Sequence, residues 1–234
     1  MKVYFHYCLF GFSNCYILGT EGFVEQNIAP LSLELESPEI QNLENKFPHS
    51  AFELKEAIII DPGCMDDKIV DFIEHNEYAL RGVLITHDHL NHVHGLRTLK
   101  RIYDVPIYAL NHEVCEYKTV LIKNGETIKV GPFAVEVFSV PGHSADSAVF
   151  KIANLLFTGD AISAGLVGST ASSYGAALEI NTLRSKILSL PGDYIVLPGH
   201  GPPSTLEAER QFNVGLEQKQ NTTNQSLAYI KDFL

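Results

Sequence analysis

The sequence predicts an α/β domain, and three observations favour this class. Short runs rich in β-branched and aromatic residues, typical of strands, recur along the chain between glycine-containing or polar turns. Amphipathic segments, typical of helices, lie between several of these runs. Five of the apolar runs end close to a histidine or an aspartate, most of them with a glycine nearby. Because glycine lets a strand turn sharply, we expect these polar residues at a sheet edge.

The first half of the chain alternates between the two kinds of element. Its strands are predicted at residues 3–10, 14–18, 58–60, 83–86 and 106–108. Its helices are predicted at residues 66–79, at 96–103, and at 111–118 behind a capping Asn111. The first of these helices carries Ile69, Phe72 and Ile73 on one face, which indicates that it packs on a sheet.

The second half is predicted to be rich in strands, at residues 127–130, 133–140, 148–152, 155–158 and 194–197. A helix is predicted at residues 176–190, because its apolar residues recur at helical spacing. The segment from Ser204 to Glu207 resembles a capping box and predicts the start of a last long helix.

Residues 20–56 are predicted to be an acidic insertion into a single domain that spans residues 1–234. This segment contains eight glutamates and two lysines and shows no continuous element. Its apolar residues, among them Leu43, Phe47 and Phe52, indicate that part of it packs. A solvated insertion and a lid or dimer arm both fit this pattern, so the sequence leaves open whether the chain forms a homo-oligomer.

Composition and charge disfavour a nucleic-acid-binding protein and a membrane-spanning protein. The chain has 234 residues, 45% of them hydrophobic, and a net charge of −11, which disfavours non-specific binding to nucleic acid. It has no apolar run long enough to cross a membrane and no leader-like start, which predicts a cytoplasmic protein. The cysteines form no C-x-x-C pair and are expected to be reduced thiols: Cys8, Cys15, Cys64 and Cys115.

Six metal-ligand side chains follow the ends of predicted strands. His87, His89 and His92 form one cluster, and the others stand alone after glycine, as His143, Asp160 and His200. Imidazole suits zinc and iron, and a carboxylate bridges two cations well. A single histidine on a strand is more often a core residue than a ligand, but six such placements predict a metal centre.

These residues resemble the motifs of the metallo-β-lactamase superfamily. The matching stretches are Thr86-His87-Asp88-His89-Leu90-Asn91-His92, Gly142-His143, Gly159-Asp160 and Gly199-His200. The stretch from Ile59 to Gly63 also resembles a strand-end motif of the family, and residues 198–213 resemble its hydroxyacylglutathione-hydrolase-like branch. The resemblance covers residues 1–19 and 57–215, and the motifs occur in the family's order.

The resemblance implies an αββα sandwich, in which two facing mixed sheets are flanked by helices and the metals lie at one rim. It also implies the following ligands: His87, His89 and His143 for a first metal, Asp160 as a bridge, and Asn91, His92 and His200 for a second. Asp61 would orient a ligand histidine, so we expect the catalytic residues to be Asp160, Asn91 and Asp61. Zinc is the expected metal, with iron or manganese as alternatives.

Two positions depart from the family pattern. Asn91 stands where the family has aspartate, and His94 stands where the family tends to have glycine. Asparagine can ligate through its amide oxygen but carries no charge, which predicts a weak second site. An anionic substrate could supply the missing charge. His94 is interpreted as a surface histidine of a helix rather than as a ligand.

The resemblance implies a hydrolase that uses metal-activated hydroxide on a small thioester, ester or related substrate. One alternative is a mononuclear iron dioxygenase of the sulfur dioxygenase kind, with His87, His143 and Asp160 as ligands. Another is a non-catalytic metal-binding protein with a weakened second site. Hydrolysis of β-lactams or of glutathione thioesters is not expected, since the chain is predicted to be cytoplasmic and few residues follow Asn213.

Overall fold

The computed structural model describes residues 1–20 and 55–216, so the predicted acidic insertion lies mostly outside the described residues. Its strands are β1 (Lys2–Cys8), β2 (Ser13–Gly19), β3 (Glu56–Ile60), β4 (Ala79–Leu84), β5 (Ile107–Ala109), β6 (Glu113–Val114), β7 (Tyr117–Lys118), β8 (Val120–Leu121), β9 (Thr127–Val130), β10 (Phe133–Ser139), β11 (Ala148–Ile152), β12 (Leu155–Gly159), β13 (Ile162–Ser163), β14 (Leu166–Val167), β15 (Ile195–Pro198) and β16 (Ser204–Thr205). Its helices are α1 (Asp67–His75), α2 (Leu90–Val93), α3 (Leu96–Ile102), α4 (Ser173–Thr182) and α5 (Leu206–Phe212).

Most of the strands belong to two six-stranded mixed sheets. The first has the order β1-β2-β3-β4-β5-β8, and the second has the order β16-β15-β12-β11-β10-β9. In the first sheet, β3, β4, β5 and β8 run parallel to one another, and in the second sheet β12 runs parallel to β15. Parallel strands place their carboxyl ends at the same edge, and these ends carry the predicted ligands.

Side-chain alternation divides the core into three layers of apolar contacts. Ile58 and Ile60 of β3 face the second sheet and pack in a cluster that includes Phe157. Ile59 points to the opposite face, where the residues of α1 and α3 pack. On the outer face of the second sheet, Leu156 packs with residues of α5 and of the segment after α4. The predicted αββα sandwich is therefore confirmed.

The helix predicted at residues 111–118 is wrong. The structure forms a short hairpin there, in which β6 pairs antiparallel with β7. The two residues between these strands, Cys115 and Glu116, both have positive φ angles, of 48° and 68°. A helix cannot continue through left-handed backbone, so Asn111 does not cap a helix here.

Several predicted boundaries also change. The helix predicted at residues 66–79 ends at His75, and Ala79 already belongs to β4. Strand β1 ends at Cys8 rather than at residue 10, because a turn containing Gly11 follows it. The helix predicted at residues 176–190 begins earlier, at Ser173, and continues after Thr182 as a π-helical segment, Leu183–Ile187. The last helix is short, and its N-cap is Thr205, whose hydroxyl accepts a hydrogen bond from the Ala208 amide.

None of the described helices is long and apolar enough to span a membrane.

Candidate metal centre

The predicted ligands meet where strands of both sheets end. His87 and His89 follow β4, and Asn91 and His92 lie on the short helix α2 directly after them. The other three ligands come from the second sheet: His143 after β10, Asp160 after β12 and His200 after β15. The second sheet is held against this edge of the first by a hydrogen bond of 2.8 Å from the Ala148 amide to the Thr86 carbonyl.

One group of donors contains His87, His89, His143 and Asp160, whose ligand atoms all lie within 4.8 Å of one another. Nδ1 of His89 lies 3.0 Å from Nε2 of His87 and also 3.0 Å from Nε2 of His143. Oδ2 of Asp160 lies 3.8 Å from Nε2 of His87 and 3.5 Å from Nε2 of His143. Three imidazole nitrogens and one carboxylate oxygen thus converge, as in a four-coordinate site.

A second group contains His92, Asp160 and His200. The Asp160 carboxylate belongs to both groups, with Oδ1 3.2 Å from Nε2 of His92 and Oδ2 3.5 Å from Nε2 of His200. The side-chain amide of Asn91 lies at the same place, with its nitrogen 2.7 Å from Nε2 of His200. Asp160 therefore links the two groups of donors, and the Asn91 side chain lies beside the second group.

The outer nitrogens of four of these histidines are held by hydrogen bonds. Nδ1 of His143 donates to the Ser169 carbonyl and Nδ1 of His200 donates to the Phe12 carbonyl, both at 2.8 Å. A carbonyl only accepts, so each ring carries its proton on Nδ1 and leaves Nε2 free to bind a metal. Hydrogen bonds of this kind orient metal-binding histidines and raise their basicity.

Asp61 organises the outer contacts of the other two histidines. Its Oδ2 lies 3.1 Å from Nδ1 of His92 and accepts a hydrogen bond of 2.6 Å from the Thr86 hydroxyl. The Thr86 hydroxyl lies 3.1 Å from Nδ1 of His87. The Asp61 carboxylate also accepts a 2.8 Å hydrogen bond from the Thr86 amide. One buried carboxylate thus orients a ligand of each donor group, directly for His92 and through Thr86 for His87.

The charge distribution suits bound cations. Burial and the neighbouring His92 lower the pKa of His87 to about 3, and burial and His143 lower that of His89. Burial also opposes charge on Asp160, but the adjacent His92 imidazole outweighs it and holds the Asp160 pKa below its usual range. Near neutral pH the His87 and His89 imidazoles are therefore neutral and the Asp160 carboxylate is ionised, which are the forms that bind metal.

The residues present fit a metal centre by a second criterion. Nε2 of His92 and Oδ1 of Asp160 are buried atoms without a hydrogen-bond partner among the described residues. Such atoms are costly to bury unless something binds them, and a cation between them would satisfy both. A glycine makes room for this arrangement, because a Cβ atom on Gly199 would collide with Oδ1 of Asp160 and with the His92 ring.

The structure thus brings all seven predicted ligand residues together, with Asp61 directly behind them. His94 belongs to neither group of donors; its exposed ring stacks on Phe10 with centroids 4.0 Å apart. The pattern of the sequence did not indicate the roles of Thr86 or of the Phe12 and Ser169 carbonyls. Thr86 precedes a predicted ligand at the end of a strand, so its role could have been inferred from the sequence. The backbone carbonyls could not, because every residue has one.

Asn14 was also missed. Its buried side-chain amide donates to the Pro198 carbonyl at 2.9 Å and to the Gly201 carbonyl at 2.8 Å, on either side of His200. The Tyr16 hydroxyl donates to the same Pro198 carbonyl at 2.7 Å. These contacts fix the turn that carries His200. A polar residue at the start of a fully buried strand was the signal that could have revealed this role.

The turn between β1 and β2 forms an apolar rim beside the centre. Its carbonyl at Phe12 contacts His200, and its side chains face solvent, with Leu9, Phe10 and Phe12 exposed by 79%, 43% and 65%. Leu90 at the start of α2 is 61% exposed as well. Large apolar side chains clustered beside a polar site are typical of a surface that binds part of a ligand.

A family model described as the metallo-beta-lactamase superfamily matches residues 49–200. A probable polyketide biosynthesis zinc-dependent hydrolase, BaeB of Bacillus velezensis, is 29% identical over 184 residues, which cover 73% of this chain and 81% of that protein. The hydroxyacylglutathione hydrolase GloC of Haemophilus influenzae is 30% identical over 192 residues, which cover 70% of this chain and 89% of that protein.

Solved structures agree with the fold. The B3 metallo-beta-lactamase BLEG-1 superposes with a TM-score of 0.71 at 22% identity, covering 92% of this chain and 99% of that one. TTHA1623, solved in a di-iron-bound form, superposes with a TM-score of 0.59 at 25% identity, covering 68% of this chain and 88% of that one. The first of these similarities supports the fold alone.

Proposed function

Because the chain belongs to the metallo-β-lactamase superfamily, we propose that it is a metal-dependent hydrolase of small acyl thioesters or esters. The observation that carries this proposal is the shared Asp160 carboxylate, which lies between two groups of histidine donors. Two divalent ions bound there, most simply zinc, would lower the pKa of a water molecule, so that hydroxide is available near neutral pH to attack a carbonyl carbon. The relatives named as hydrolases support the general reaction type.

The protein's own residues would orient and hold this centre. His87, His89 and His143 would bind the first ion, and His92 and His200 would bind the second with the Asn91 amide oxygen. Asp61 would keep the His92 ring in place, since it contacts its outer nitrogen at 3.1 Å. The amide of Asn91 cannot accept a proton as a carboxylate does, so proton transfer would fall to another base or to solvent.

The exposed turn between β1 and β2 supports a substrate with an apolar acyl group. The backbone carbonyl of Phe12 bonds to His200, so this turn lies next to the centre. A substrate whose own carbonyl carbon is held at the metals would therefore place its acyl chain against the turn. A substitution of Phe12 with alanine should therefore raise KM more for long acyl chains than for acetyl substrates. Metal content should not change, because the Phe12 carbonyl that holds His200 is retained.

The mononuclear iron dioxygenase is the weaker candidate. It would require His87, His143 and Asp160, and it leaves His92 and His200 without a role. The structure brings those two histidines to the same carboxylate, which favours a centre of two ions. Oxygen uptake with a persulfide substrate by the iron-loaded protein, without ester or thioester hydrolysis, would favour the dioxygenase.

A direct test compares zinc-loaded, iron-loaded and metal-free protein on a series of acyl thioesters and the matched oxygen esters. We expect hydrolysis that a chelator abolishes and added metal restores. The variant His143→Ala should lose both activity and metal, whereas His75→Ala, at an exposed histidine at the end of α1, should lose neither. Hydrolysis that persists in metal-free protein would refute the proposal.

A further inference from the structure

A second cluster of metal-ligand side chains lies outside the centre described above. His6, Cys8 and Cys64 bring one imidazole nitrogen and two thiol sulfurs within 4.8 Å of one another. The two sulfurs of Cys8 and Cys64 lie 2.9 Å apart, and both cysteines are free thiols. None of these residues belongs to the His and Asp groups around Asp160.

The fold explains why these three side chains converge. His6 and Cys8 are two positions apart on β1, so both point to the same face of the sheet. Cys64 lies on the turn between β3 and α1 and reaches the same place from a distant part of the chain. Cys15, which pairs with His6 in the β1–β2 ladder, adds another buried thiol on that face.

The cluster has the features expected of a metal site. His6 is 8% exposed, and one of its nitrogens, Nε2, lies 3.0 Å from Oδ2 of Asp66. With Nε2 paired to Asp66, Nδ1 is the His6 nitrogen left to bind an ion, and the carboxylate would then orient the ring. Cys64 is only partly buried, and the Asp66 side chain is 45% exposed, so solvent and ions can reach the cluster from this side.

We propose that His6, Cys8 and Cys64 form a second, independent metal site that binds one thiophilic ion, most simply zinc. Two sulfurs and one imidazole form a donor set that zinc prefers, and oxygen-seeking ions such as magnesium or calcium do not. On tetrahedral zinc, with Zn–S bonds of about 2.3 Å, the two sulfurs would stand roughly 3.8 Å apart, so they need to separate by only about 1 Å.

The position of the cluster in the fold indicates the role of a bound ion. Cys8 is the last residue of β1, and Cys64 lies between β3 and α1. A bound cation would displace the thiol protons of both cysteines, because the thiolate is the form that binds metal. A bound ion would fasten the end of β1 to the turn that connects Asp61 with α1, so its role would be structural.

The test counts metal and identifies its ligands. Zinc analysis of wild type should find one equivalent more than of Cys8→Ser or Cys64→Ser, while the matched control Cys115→Ser should equal wild type. Cobalt(II) loading gives a readout that needs no variant, because the first centre offers no sulfur ligand. Wild type should show a thiolate-to-cobalt charge-transfer band in the near ultraviolet, and Cys115→Ser should retain it.

Three results would overturn the proposal. The first is equal zinc content in wild type and both cysteine variants. The second is a zinc X-ray absorption edge of wild type that shows nitrogen and oxygen neighbours but no sulfur. The third is a Cys8–Cys64 disulfide, detected as the loss of two hydrogens from the intact mass of protein purified under reducing conditions. None of these measurements depends on hydrolase activity, so this proposal and the proposed function can fail separately.

Discussion

Oδ2 of Asp61 lies 3.1 Å from Nδ1 of His92, and the same oxygen accepts a hydrogen bond from Thr86. Asp61 is 2% exposed, and it adopts a left-handed φ of 49°, which is unusual for a residue other than glycine. The chain therefore keeps an aspartate in an unfavourable backbone conformation behind a ligand histidine. That arrangement identifies Asp61 as a residue that positions the ligands.

We expect Asp61→Asn to weaken metal binding by 10- to 100-fold, which is typical when the outer partner of a ligand histidine is lost. The loss should be largest for the second equivalent, since His92 belongs to that group. Isothermal titration calorimetry of metal into the metal-free variant measures the affinity for each equivalent. Asp104→Asn is a suitable control, because Asp104 is fully exposed on the surface. Unchanged affinity in Asp61→Asn would contradict the role assigned to Asp61.

The stability of the metal-free protein should fall as pH rises from about 6.5 to about 9. Burial disfavours charge on His92, but the Asp160 and Asp61 carboxylates outweigh it and raise its pKa from 6.5 to about 9. A raised histidine pKa contributes stability that is complete below pH 6.5 and is lost as pH passes through about 9.

Melting temperatures of chelator-treated protein across this pH range test the prediction. Asp61→Asn removes one of the two carboxylates beside His92, so its curve should be flatter than that of wild type. His75→Ala should follow wild type, because His75 lies at the exposed end of α1. Parallel curves for wild type and Asp61→Asn would show that His92 is not the group responsible.

Gly199→Ala should abolish binding of the second metal. The added Cβ atom would overlap both Oδ1 of Asp160 and the His92 ring, and neither can move without leaving the centre. Gly192→Ala is the matched control: its φ of 82° is strained for alanine, by about 1 kcal/mol, but no atom lies within 4 Å of the new Cβ. Metal analysis together with thermal unfolding separates the two effects. A Gly199→Ala protein with full metal content would show that the turn relaxes.

The ligands were predictable because each follows an apolar strand, and strand ends meet at the edge of a sheet. The contacts that orient them were harder to foresee. The Phe12 carbonyl reaches His200 from a turn that is 188 residues away, and no side-chain pattern records such a contact. The hairpin at Cys115 was missed since its left-handed residues are not glycine, and Cys8 and Cys64 meet only once the order of the strands is known.

We expect the neutral side chain of Asn91 to limit how tightly a second metal binds. Its side-chain nitrogen lies 2.7 Å from Nε2 of His200, and rotating the amide by half a turn would present its oxygen to an ion held there. That oxygen is neutral, so a second ion would be bound with one negative charge fewer than an aspartate would give. Even at an effective dielectric constant of about 20, a missing charge at bonding distance weakens binding by several kcal/mol.

Asn91→Asp should therefore raise the affinity for the second equivalent of metal by at least about 100-fold and shift activity toward hydrolysis of simple esters or lactones. Calorimetric titration of metal into both metal-free proteins measures the difference. Asn124→Asp makes the same change at an exposed position, where the side-chain oxygen accepts from the Ser139 amide and Lys186, and should leave metal affinity unchanged. If wild type and Asn91→Asp bind the second equivalent equally well, the amide oxygen is an adequate ligand and the second site of this chain is not weak.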